Sequence, residues 1–154
     1  MESKKPLKRV IELQTLSHDH HQALQLCWKI RTGLSKNIAP ERIKTYTDWF
    51  YKNHLCEHFK IEEDVVFSVL ESNNELVQRA LSEHKNLTTL FTSEVNIKET
   101  LEKIEKDLKA HIRFEERELF TEIQNIATTS QLQKISLAHS DEAFKENNSD
   151  EFWL

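Results

Sequence analysis

Histidines and carboxylates recur in this chain at spacings suited to metal binding: Asp19-His20, His58 with Glu62, Glu83-His84, and His111 with Glu115. On a helix, residues i and i+4 leave one face roughly 6 Å apart, so each His-x-x-x-Glu offers a nitrogen and a carboxylate to one point. Each such pair is half a metal site. With His20 and His84 added from two other helices, the donors become four imidazoles and two carboxylates. This nitrogen and oxygen set suits iron or manganese better than the thiolate-rich sites of structural zinc. Two carboxylates facing each other in a core can bridge two cations, whose charge offsets the cost of burying Glu. The expected metal ligands are therefore His20, His58, Glu62, His84, His111 and Glu115, around a dinuclear centre.

A single His on an apolar stripe is more often a packed core residue than a ligand, and a single His-x-x-x-Glu is commonly a solvated pair. Repetition changes that balance. Four helices each place a His on the stripe that must face the core, and two of them add a carboxylate that an apolar core would exclude without a cation.

The elements that position these residues follow from spacing. One Gly and two Pro in 154 residues, where average usage would give roughly eighteen, predict long helices. The stripe Leu13, Leu16, His20, Leu24, Cys27, Leu34 predicts a first helix over about 17–36, with Ser17 as its N-cap and Gly33 near its end. Pro40 opens a second helix reaching about Leu70, with an inner stripe of Tyr51, Leu55, His58, Glu62, Val65 and Val69. Val77, Ala80, His84, Leu87 and Phe91 mark a third, after the turn Ser72-Asn73-Asn74. Beyond a break around Asn96, Leu101, Ile104, Leu108, His111, Glu115 and Leu119 mark a fourth. Ser130 through Gln133 reads as a capping box for a short fifth helix ending near Ala138. No period-2 run predicts a strand.

An internal repeat organises these helices. Residues 58–70 align without gaps on 111–123, and Asp19-His20 matches Glu83-His84. The chain reads as two helical hairpins, each with one lone inward His and one His-x-x-x-Glu. The expected fold is all-α, an up-down-up-down antiparallel four-helix bundle with a short C-terminal helix. Residues 1–15 form an N-terminal arm, 16–127 the bundle, and 128–154 the short helix and an acidic tail.

Composition limits the partners. Lys+Arg 21 against Asp+Glu 26 leaves a formal charge of −5, which argues against nucleic acid and against an anionic membrane surface. No stretch approaches the ~18 apolar residues of a membrane span, and no secretory apolar core follows the start, so a cytoplasmic location is expected. Cys27 and Cys56 are too few for a disulfide framework.

The paired motifs resemble the hemerythrin-like, or HHE cation-binding, family. Both halves show its His-x-x-x-Glu-Glu signature, at His58 to Glu63 and His111 to Glu116, and its acidic-His pattern at Asp19-His20 and Glu83-His84, over about residues 16–125. The resemblance implies an up-down-up-down bundle in which His20, His58, His84 and His111 are terminal ligands. Glu62 and Glu115 would bridge two iron ions, Fe2+ or Fe3+ with an oxo or hydroxo bridge; manganese or zinc are the alternative metals. Oxygen-carrying members resemble this pattern but use a fifth His one turn before the third-helix ligand, where this chain has Ala80. That departure predicts an open coordination position at the His84–His111 end. Two choices stay open: His21 competes with His20, and Glu116 with Glu115, the latter favoured because Glu62 holds the matching offset.

Other residues carry weaker signals. His54, one turn before His58, reads equally as a hydrogen-bond partner or proton relay for the site and as a boundary residue. His18 crowds the first-helix ligand, and His139 is expected to be exposed. Trp28, Tyr46, Trp49, Tyr51 and Phe59 are expected to pack. The leading function is a cytosolic non-haem di-iron protein whose partner is a small diatomic or peroxide ligand: O2, peroxide or nitric oxide, for sensing, binding or detoxification. A peroxidase-like or catalase-like enzyme on the same centre is the alternative. Iron storage or donation ranks lower, because family members with that role resemble this chain in the bundle but carry an added Cys-containing domain. Last comes a metal-stabilised interaction module whose partner docks on the acidic surface or on Phe152-Trp153-Leu154.

Overall fold

With so few helix breakers, the chain is free to run in long rods. The computed structural model describes residues 8–139 and 142–154; residues 1–7 of the expected N-terminal arm lie outside the described residues, as do 140 and 141. Five helical rods result: α1 (Ile11–Ser35), α2 (residues 40–69), α3 (Glu75–Thr92), α4 (residues 97–126) and α5 (Thr129–Ala138), with no strand among the described residues. Helix α1 packs on α2 and α4, α3 packs on α4, and α5 lies against α1 and α2. No described helix is long and apolar enough to cross a membrane.

Chain termini and turns show why the rods start where they do. Asn37 (φ 59°) and Asn96 (φ 48°) take the left-handed conformation that Asn tolerates, breaking the chain before α2 and before α4. Asn74 caps α3, its side chain accepting from the Leu76 amide at 2.8 Å. Two expectations are corrected. Helix α1 begins at Ile11 rather than at Ser17, because Leu13 and Leu16 are already fully buried and packing outweighs the missing side-chain cap at Val10. Helix α5 is capped by Thr128 with Gln131, not by Ser130 with Gln133.

Helices α2 and α4 are not uniform. Residues Tyr51–Leu55 and Glu62–Val66 of α2, and Glu115–Leu119 of α4, are single π-helical turns. Two of these begin at the inward glutamates of the repeat, Glu62 and Glu115. Such turns accumulate at functional sites, since the extra residue re-aims the side chains around it.

The buried apolar residues form two layers. One holds Ala23, Leu26, Ile30, Phe50, Leu87 and Leu108 among others; the other holds Leu13, Leu16, Val66, Ala80, Phe114 and Phe120. The inward histidines and glutamates occupy the helical turns between the two. In the first layer Phe152 and Trp153 are buried against Tyr46. Phe152 and Trp153 are therefore part of the core, while Leu154 is exposed. Gly33 lies inside α1 and makes this possible: a Cβ there would stand 2.8 Å from the Phe152 ring and 2.9 Å from Ile43. Lys29, almost fully buried, donates to Tyr46 (2.9 Å) and Glu146 (2.5 Å), and its ammonium lies 4.3 Å from the centre of the Trp153 ring. Trp28, expected to pack, is exposed instead.

Candidate metal centre

Each of the four long helices turns one histidine inward, and α2 and α4 each add a glutamate one turn later. His20, His58, His84 and His111 are buried to within 3% of full exclusion, and Glu62 and Glu115 are completely excluded from solvent. Their inward atoms converge. Nε2 of His20 lies 2.9 Å from Glu115 Oε1 and 3.1 Å from His58 Nε2. Nε2 of His84 lies 3.1 Å from Glu62 Oε1, and Nε2 of His111 lies 3.2 Å from Glu115 Oε2. Two overlapping donor groups emerge, His20–His58–Glu62–Glu115 and Glu62–His84–His111–Glu115, each with its ligand atoms within 4.8 Å of one another. All six residues singled out by spacing are brought together. His21 and His18 are exposed, so His20 is the inward residue of the pair.

The outer nitrogens are also assigned. His58 Nδ1 pairs with Asp19 Oδ2 (2.9 Å), His111 Nδ1 with Glu83 Oε1 (2.7 Å), His84 Nδ1 with Glu63 Oε2 (2.7 Å), and His20 Nδ1 with Glu116 Oε2 (2.6 Å). The pattern is two-fold. The acidic residue before each lone His orients the histidine of its own hairpin, and the second Glu of each Glu-Glu orients the lone histidine of the other. Consecutive residues on a helix point about 100° apart, so Glu115 enters the core while Glu116 reaches sideways, where it also accepts from Ser17 Oγ at 2.9 Å. A carboxylate on Nδ1 fixes the tautomer that leaves the Nε2 lone pair inward, which is the arrangement metal-ligating histidines use.

The electrostatics show a cage built for positive charge. Burial pushes the His84 ring down, but Glu115, Glu62 and Glu63 hold it up at about 11; burial likewise opposes His58, which Glu62 and Asp19 hold up at about 9. Burial and the facing Glu115 push the Glu62 carboxyl up, and His58 and His20 override them to leave it below its ordinary value. Both Glu62 oxygens, Glu115 Oε2, His84 Nε2 and His111 Nε2 are buried without a hydrogen bond. Polar atoms left unpaired in a core are costly. Two cations placed among them would satisfy every one, so the donors present fit a pair of metal ions.

Surroundings differ at the two ends. Phe59 stacks on the His84 ring (4.0 Å between centroids) and Phe67 tilts against it; Phe120, the repeat partner of Phe67, stacks on His20. On the side of His20, His58 and His111 lies a cavity of about 290 Å³ that also reaches Ala23, Phe50, His54, Ile112, His139 and Phe144. Ala80 is fully buried in the apolar layer with Leu16 and does not line it. The cavity thus borders the donor set at His20, His58 and His111, away from Ala80.

His139 was expected at the surface and is not there. Its Nε2 lies 2.5 Å from Asp19 Oδ2, so Asp19 serves two imidazoles and sits well below the usual carboxylate range. Burial pushes Asp19 up, but bonds to His139 and His58 prevail. No spacing rule links position 139 to position 19, since the contact depends on how α5 returns over the bundle.

A sequence-family model of the hemerythrin HHE cation binding domain matches residues 12–123, the span holding all six inward donors and their four carboxylate partners. No curated protein and no solved structure matches the chain.

Proposed function

The chain belongs to the hemerythrin HHE cation-binding family, and from that premise we propose that its buried cage holds two iron ions as a binding centre for O2, peroxide or nitric oxide. His20 and His58 would hold one ion, His84 and His111 the other, with Glu62 and Glu115 shared between them. The observation that carries this reading is the pair of four-donor groups that share both glutamates. An iron pair, when bound, supplies up to two electrons to one small ligand. The chain's own residues do the rest. Asp19, Glu63, Glu83 and Glu116 hold the Nδ1 protons so that each Nε2 presents a lone pair. The apolar layers on either side keep bulk water from the donors except where the cavity reaches His20, His58 and His111. The short connections between rods support an up-down-up-down order, and the free thiols of Cys27 and Cys56 suit a cytoplasmic setting.

A second reading, a peroxidase-like or catalase-like enzyme, is favoured by the cavity, which gives a substrate room beside the donors. Iron-loaded protein is expected to bind nitric oxide or azide saturably, read as a spectral change. Sustained consumption of peroxide by the same samples would move the function from binding to catalysis, and absence of any spectral response to either ligand would contradict the proposal.

A further inference from the structure

The cavity is larger than a diatomic ligand needs. It measures about 290 Å³, whereas one water occupies roughly 30 Å³ of liquid and organic-ligand sites begin at roughly 300 Å³. Its inner wall is apolar: Ala23, Phe50, Phe59, Leu108 and Ile112 all line it and all are buried. No Lys or Arg lines it among the described residues, while Asp19, Glu57 and Glu142 do. That charge balance disfavours an anionic occupant.

Apart from His111 Nε2 of the donor cage, one buried side-chain polar atom among the described residues of this wall lacks a partner. His54 Nε2 is buried without a hydrogen bond, and its ring is held by Trp49, Phe50 and Phe144 at centroid distances of 5.1, 5.5 and 4.7 Å. Burial keeps this imidazole below its ordinary value, so it is neutral and can donate or accept one hydrogen bond. The fold does not require the orphan. At the position that the repeat pairs with His54, Asp107 accepts from Asn86 at 3.0 Å. The repeat also explains the space, because Ala23 stands where the other hairpin has Leu87. His54 sits in the π turn Tyr51–Leu55, the one π turn of α2 that carries no inward glutamate.

We propose that this cavity binds an uncharged small organic molecule bearing one hydroxyl group, of which phenol is the simplest form. The hydroxyl pairs with His54 Nε2 and the apolar body lies against Phe50, Phe59, Leu108 and Ile112. The proposal deepens the reading of the metal centre, because the cavity is the approach to His20 and His58, but binding in it requires no ion.

The test titrates phenol, toluene and benzoate into the full-length protein by calorimetry, with metal content measured on the same samples. Phenol is expected to bind at one saturable site about tenfold more tightly than toluene, the worth of one neutral hydrogen bond, and benzoate is expected not to bind. His54→Phe keeps the ring shape and should weaken phenol about tenfold while leaving toluene within about twofold; His54→Gln should restore phenol in part. Equal affinity for phenol and toluene in the unmutated protein, preference for benzoate, or no saturable binding at all would overturn the proposal even if the His54 variants fail to fold. A sample without iron that shows the expected pattern would sink only the iron reading. An iron-loaded sample lacking the pattern would sink only this one.

Discussion

Around His84 the donors are closed in, whereas His111 borders the cavity. Phe59 stacks on His84, Leu87 fills the adjoining layer, and Asp107 is satisfied by Asn86. Around His20 and His58 the matching positions are Ile112, Ala23 and His54, and there a cavity reaches the donors. Both ends have two histidines, a share of the same two glutamates and a carboxylate on every Nδ1. The repeated positions therefore build the cage, and the positions that break the repeat decide which end of it is reached from outside.

The largest effect is expected from removing what both ends share. Glu115→Ala or Glu62→Ala should take metal content from about two ions per chain to less than one, by elemental analysis. Each should also destabilise the metal-free protein by ~3–5 kcal/mol, because histidines held by that carboxylate stay buried without it. A Glu115→Ala protein with full metal content would move the bridging role to Glu116 and dissolve the equivalence of the two ends.

The next comparison separates the ends through their outer carboxylates. Asp19→Asn acts on His58 and Glu83→Gln on His111, so each should weaken metal binding about 10- to 100-fold in competition with a chelator. Equal losses would support the two-fold arrangement; no loss in either variant would refute the role given to the Nδ1 partners.

Acidity gives a third test, on chelator-treated protein. His58 and His84 are held up at about 9 and about 11. Their stabilisation should be complete below their unfolded value near 6.5, then be lost as pH rises through about 9 for His58 and about 11 for His84. Glu62 and Glu83 are held below their ordinary value. Their contribution should be full above about 4.5 and lost as pH falls through their lower folded values. Denaturant unfolding across pH should show both losses, and the alkaline one should shrink when metal fixes the imidazoles as neutral ligands. An alkaline limb unchanged by metal would contradict the histidines' role.

The smallest change should fall outside the comparison. Gly33→Ala drives a methyl into Phe152 and Ile43 and should cost ~1–3 kcal/mol in thermal or denaturant unfolding, with metal content unchanged. Loss of metal in that variant would show that the C-terminal anchor and the cage are coupled.

Much of this architecture was readable in the chain. Helical spacing located all five rods, the repeat of His58 to Leu70 on His111 to Ile123 located four inward donors, and the match of Asp19-His20 to Glu83-His84 located the other two, because all of these depend on periodicity that packing preserves. The tasks of Asp19, Glu63, Glu83 and Glu116 were half visible: their types stood in the motifs, but which histidine each would orient depends on how neighbouring helices face one another. His139 over Asp19, Phe152 against Gly33, and the cavity next to Ala23 were not readable, since each joins residues far apart in the chain with no shared period. Nor was it readable that the cavity would lie away from Ala80, which is buried in the apolar layer with Leu16.

A two-ion centre shared by Glu62 and Glu115 should show itself in the metal content and colour of the protein. Elemental analysis of protein purified aerobically after growth in iron-replete medium, read together with its absorption spectrum, tests this most directly. About two irons per chain are expected, with visible absorption that disappears when Glu115 is replaced by Ala. One zinc per chain, with no iron and no visible absorption, would contradict it.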